Sequence, residues 1–127
     1  MGTINVIDYV TISTTGNAAD FGDLTRSHEG ISSTASKTRG IFAGGHPSSD
    51  TIDYITIATT GNATDFGNLS GTRRLTGTVS DRSRGVFGGG LSETNTIEYV
   101  TIDTTGNTTD FGDLTVARHG LVGVSGA

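Results

Sequence analysis

Three stretches decide how this chain reads: IDYVTISTTGNAADFGDL at 7–24, IDYITIATTGNATDFGNL at 52–69 and IEYVTIDTTGNTTDFGDL at 97–114. They are near-copies, and Tyr9, Tyr54 and Tyr99 mark a step of 45 residues between them. A second phrase, TRGIFAGG at 38–45 and SRGVFGGG at 83–90, keeps the same step but occurs twice. A period of this length is one supersecondary unit, which cannot bury its apolar face alone and must stack on a neighbour. The chain therefore reads as one repeat domain over 1–127, with units at 7–51, 52–96 and 97–127, the last incomplete.

Each unit is predicted to be four short strands. In the unit running from Arg73 to Val116, strand one spans 75–80, strand two 84–89, strand three 96–103 and strand four 108–114. Strand three, TIEYVTID, is dense in β-branched and aromatic residues. Thr105-Gly106-Asn107 reads as the hairpin turn between strands three and four, because Gly and Asn tolerate turn backbone. Strand three carries apolar residues on both faces: Ile97 and Tyr99 on one, Val100 and Ile102 on the other. That pattern predicts a sheet packed between two similar sheets rather than one with a wet face. Residues 4–24 supply strands three and four of an earlier unit. Residues 118–125 are expected to form strand one of a later one, so the repeat begins and ends in mid-unit.

Composition agrees with an all-β chain. It is rich in Gly (20 residues) and Thr, its apolar content is 32%, and no long segment shows helical periodicity. Net charge is −5 with only 8 Lys and Arg, which speaks against a nucleic-acid partner. There are no cysteines, hence no disulfide framework, thiolate metal site or cysteine nucleophile. No stretch approaches the ~20 apolar residues of a membrane span, and the N-terminus lacks the pattern of a signal peptide.

A glycine pair closing one strand, a Tyr on the next, an aromatic on the fourth and an Arg before the next unit together resemble kelch repeats. Here these are Gly44-Gly45 and Gly89-Gly90, Tyr54 and Tyr99, Phe66 and Phe111, and Arg73 and Arg118. Phe stands where kelch units usually carry Trp. The uniform phrase VTIxTTGNATDFGDL is similar to kelch-like repeats of bacteriophage tail and structural proteins. The resemblance implies β-propeller blades of four antiparallel strands, here an incomplete ring. It also implies a non-enzymatic structural or adhesion module on a virion or extracellular surface, associating with itself or with other virion proteins. Two alternatives stay open: a β-trefoil fold, and a lectin-like domain with a cell-surface glycan as partner.

Several motifs invite catalytic readings and fail on their chemistry. Asp-Phe-Gly at 20–22, 65–67 and 110–112 holds Mg²⁺ in protein kinases only beside a catalytic loop and a strand lysine. The sole lysine here is Lys37, so a turn with a packed Phe is the expected structure. GGGLSET at 88–94 lacks the Lys of a phosphate loop. Asp20 with Asp23, and Asp110 with Asp113, flank a Gly turn where Asp commonly bonds the backbone, and the middle unit has Asn68 in the second position. His28, His46 and His119 do not share a repeat position. No catalytic residue, metal site or cofactor is expected. Arg39 and Arg84 are expected to pair with the acid before each Tyr: Asp8, Asp53 or Glu98. The stretches that vary most between units include 46–50 and 91–95. Loops on a rigid scaffold commonly carry recognition, so Ser48, Ser49, Asp50, Ser92, Glu93, Thr94 and Asn95 are the candidate ligand-binding residues.

Overall fold

The computed structural model describes residues 3–91 and 93–126, which form ten strands and no helix. Strands β1 (Ile4–Tyr9) and β2 (Ala19–His28) make a two-stranded antiparallel sheet. Strands β3 (Ser32–Ala35), β4 (Arg39–Ala43), β5 (Thr51–Thr56) and β6 (Thr64–Asn68) form a four-stranded meander, each pairing with the next. Strands β7 (Gly77–Ser80), β8 (Arg84–Gly88), β9 (Thr96–Thr101) and β10 (Thr109–Asp113) form a second meander of the same design. The sheets are open. Their registers match one period apart: Phe42 faces Asp53, and Phe87 faces Glu98.

The two meanders face each other across the main core. Ile41, Ala43, Ile52 and Phe66 from one meet Phe87, Val100 and Ile102 from the other, and Leu69 joins the cluster. Burying each such large side chain contributes roughly 1.5–3 kcal/mol, so this inter-sheet layer is the largest single source of stability. The middle sheet is packed as its two-faced pattern predicts, since the adjacent β5 residues Ile52 and Asp53 point to opposite faces and both are buried. The third sheet buries only the Glu98, Val100 and Ile102 face of β9 and its continuation, leaving Ile97 and Tyr99 partly exposed.

The segment 118–125 is not a strand, contrary to expectation. It lies beside β7, held by the Gly120 N–H on the Leu75 carbonyl (2.9 Å) and the Ser80 N–H on Ser125 Oγ (2.8 Å). It finds no ladder partner among the described residues, and two glycines (Gly120 and Gly123) weaken its strand preference. The same 45-residue step links β7 to β3, where Thr78 Oγ1 donates to the Ser33 carbonyl at 2.7 Å.

Two local readings change. Asp-Phe-Gly lies within strands β2, β6 and β10, as the strand-four span 108–114 places it, and a register shift stands in each sheet where a turn was expected. Such a bulge accommodates the extra residue and bends the strand. Each Phe stands edge-on to the Tyr of its own sheet, with ring centroids 5.9, 5.9 and 6.1 Å apart. The reversal between strands three and four is also earlier than expected. It closes with Thr104 N–H on the Thr101 carbonyl (3.1 Å), leaving Gly106 and Asn107 for another use.

Candidate functional site

That other use is a junction between sheets, built the same way twice. The Gly106-Asn107-Thr108 loop of the third sheet lies along the outer edge of β6. Gly106 N–H donates to the Phe66 carbonyl (2.8 Å) and Thr108 N–H to the Asn68 carbonyl (3.0 Å). Asn107 Oδ1 accepts from the Asn68 N–H at 3.0 Å. One period earlier, Gly61 N–H donates to Phe21 O and Ala63 N–H to Asp23 O, both at 2.8 Å. Asn62 Oδ1 accepts from the Asp23 N–H at 3.0 Å. The loop thus satisfies the strand-four edge that a meander would otherwise leave open to chance pairing.

This close approach explains the glycine after each Phe. Gly67 has φ +153°, and a Cβ placed there would collide with the Gly106 carbonyl; Gly22 stands in the same relation to Gly61. A carboxylate adds a second lock. The Thr25 N–H (2.9 Å) and hydroxyl (2.8 Å) donate to Asp53 of the following unit. At the next junction the Ser70 N–H and hydroxyl donate to Glu98, and Arg73 Nη2 reaches Glu98 at 3.0 Å. Arg73 and Glu98 are both buried, and Arg73 Nη1 has no hydrogen-bond partner among the described residues.

Arg39 and Arg84 are therefore not the partners of Asp53 and Glu98. Their guanidinium groups lie over the rings of Tyr54 and Tyr99, 4.3 and 4.4 Å from the centroids. Arg39 also donates to the Ile102 carbonyl beside the next sheet at 3.0 Å. The acids face the preceding unit, so the arginine that reaches one of them comes from the connection after strand four.

The loop residues singled out from sequence do not gather at one place. Ser48 is exposed and borders a cavity of about 210 Å³ with His46, Thr72, Arg73, Arg74 and Leu91. Ser49 is buried, its hydroxyl accepting from the Thr51 N–H at 3.1 Å and its carbonyl from Arg73 N–H at 3.1 Å. The Asp50 and Asn95 carbonyls accept from Leu69 and Leu114 N–H groups at 2.7 and 2.6 Å, pinning the chain after strand four. Thr94 Oγ1 bonds Thr96 at 3.0 Å, and Glu93 Oε1 lies 3.6 Å from His119 Nδ1. Ser92 lies outside the described residues. Ser49, Asp50, Thr94 and Asn95 are thus engaged in holding the scaffold.

Of the histidines, His28 is partly buried, and that burial lowers its pKa below the usual value. Arg26 pushes the same way and Asp53 opposes it. Among the described residues no three acidic or histidine side chains converge as a metal site would require. No helix of the described residues is long and apolar enough to cross a membrane. No protein-family model matches this chain, and no curated protein matches it significantly.

Proposed function

We propose that this chain is a non-enzymatic structural or adhesion module, made of kelch-like β-propeller blades that assemble through their edges, on a bacteriophage tail or another virion surface. The observation that carries the assembly reading is the repeated junction, in which a loop from the second sheet and a loop from the third each close the edge of the sheet before. The order of strands in the two meanders favours blades over a trefoil. The phage setting rests on the resemblance of the VTIxTTGN…DFGDL phrase alone. No catalytic role is assigned, because the polar side chains that lie close together here hold backbone and carboxylate partners.

A glycan-binding role stands second. The cavity beside Ser48 is polar, but among the described residues no Phe, Tyr or Trp lines it to stack on a sugar ring. Electron-microscopy averages of the purified protein test the first reading. Sheets arrayed around a common axis are expected, and an extended, axis-free particle would overturn the blade arrangement. Strong, selective hits on a glycan array that R74A abolishes would reverse the order of the two readings.

A further inference from the structure

The junction is used twice inside the chain, and its two halves appear once more, unmatched, at opposite ends. One half is the β10 edge. Phe111 is 54% exposed, where Phe21 and Phe66 are 6% and 3%. A Cβ on Gly112 would meet nothing within 4 Å, although Gly112 shares the extended positive φ (+147°) of Gly22 and Gly67. The other half is the first loop, Thr14-Thr15-Gly16-Asn17. A Cβ on Gly16 likewise meets nothing within 4 Å, and no backbone hydrogen bond joins Gly16 or Asn17 to another strand among the described residues. Asp8, at the position of the buried Asp53 and Glu98, is exposed.

The sequences of these unmatched halves repeat the first internal junction residue for residue. The receiving edge DFGDLT at 110–115 is identical to DFGDLT at 20–25. The incoming TTGNA at 14–18 is identical to TTGNA at 59–63, and IDY at 7–9 to IDY at 52–54. Every hydrogen-bonding group that joins Gly61, Asn62, Ala63 and Asp53 to β2 is therefore present once more, the loop half at one open end and the edge half at the other.

We propose that copies of this chain join head to tail, the Gly16-Asn17 loop and Asp8 of one docking on the β10 edge and Thr115 of the next. This deepens the assembly reading above and rests on it. By the internal precedent, Gly16 N–H donates to the Phe111 carbonyl, Asn17 Oδ1 accepts from the Asp113 N–H, and Asp8 accepts from Thr115. The contact also covers Phe111 and brings the Ile12 region, 97% exposed at that residue, against the next copy. Ile102, its counterpart two periods on, is fully buried with its carbonyl on Arg39. An interface between two different patches is heterologous, so it closes into a ring where the rotation permits and otherwise runs on as a filament.

Sedimentation velocity and native mass measurement test this on the 127-residue chain. Wild type is expected at multiples of 13.0 kDa, growing with concentration. The loop variant D8A/N17A, which loses hydrogen-bond acceptors, and the edge variant G112A, whose added methyl would strike the incoming Gly16 carbonyl as one at Gly67 would strike Gly106, are each expected to remain monomeric, with association weakened at least about tenfold. Mixed together they are not expected to associate beyond what each does alone when the loop variant also carries G112A. Loop-defective and edge-defective chains each keep one good half, so an equimolar mixture of the single-end variants stops at the dimer. Because the chain has no cysteine, N17C/D113C with a short bis-maleimide should give a covalent ladder even if G112A perturbs β10. Oligomers that persist in both variants, or a missing ladder where wild type is oligomeric, overturn this junction and leave assembly through another surface standing. A wild-type monomer at every concentration overturns the junction and the assembly reading together.

Discussion

Gly67 and Gly112 have the same backbone conformation and different surroundings, which isolates what one close approach contributes. A methyl at Gly67 strikes the Gly106 carbonyl, while one at Gly112 meets open space. G67A should therefore destabilise by about 1–3 kcal/mol more than G112A, the range expected for forced backbone displacement. Urea unfolding of dilute samples of the two variants checks this, and equal midpoints would show that φ strain alone governs both. Asp81 offers a second comparison. Its Oδ1 accepts from the Arg84 and Ser83 N–H groups at 2.6 and 2.7 Å, and these bonds hold its carboxyl below the usual range. The folded value is lowered, so the benefit is present above the unfolded value near 3.8 and is lost as pH falls through the folded one. Ser36 fills the same role one period earlier, accepting from the Thr38 and Arg39 N–H groups at 3.2 Å each. D81S should accordingly keep the melting temperature at neutral pH, D81A should lower it, and the gap between D81A and wild type should close in acid.

At the scale of elements, the two internal junctions are alike in backbone and unlike in charge. Asp53 is met by a threonine, while Glu98 is met by a serine and a buried arginine. Removing one partner of a buried ion pair leaves the other uncompensated at a cost of about 3–5 kcal/mol, whereas replacing both by apolar side chains is often neutral. E98A should thus be severely destabilising and E98L/R73M much less so, measured as a double-mutant cycle in denaturant. Additive losses would mean that Glu98 and Arg73 act independently.

Much of this architecture is legible in the sequence. The 45-residue step places every sheet, and the β-branched run at 96–101 places β9. The junction itself was hidden because Gly and Asn carry a local meaning, the hairpin turn, that accounts for them fully. A signal was nonetheless present: Thr-Thr-Gly-Asn is invariant in all three copies, while Ser13, Ala58 and Asp103 just before it, and Ala18, Ala63 and Thr108 just after it, vary. A turn alone would not hold four residues fixed between such variable neighbours. The partners of Asp53 and Glu98 were illegible for another reason. They lie 25 to 28 residues back, across the boundary into the preceding unit, which a reading within one unit does not cross.

For the whole molecule, stability is unevenly placed. The core cluster lies between the two meanders, and the first hairpin contributes none of its members. A two-stranded sheet is marginal by itself, and β1 and its continuation expose Ile4, Val6, Val10 and Ile12. Amide hydrogen exchange should therefore be fastest in β1 and β2 and slowest in β4, β5, β8 and β9. Protection of β1 and β2 equal to that of β5 in dilute solution would contradict this ordering.

The loop-on-edge contact described between units always points the same way along the chain: each period reaches back and never forward. The smallest edit that respects this grammar is one whole period. Excising residues 52–96 would set the edge of β2 opposite the loop at 106–108, which offers the same glycine and asparagine that it already receives. A cut starting at residue 52 with a length that is not a whole number of periods would instead resume the chain out of step with the repeated phrase. Length in such a chain can change by recombination between its own copies, without any new surface having to be invented.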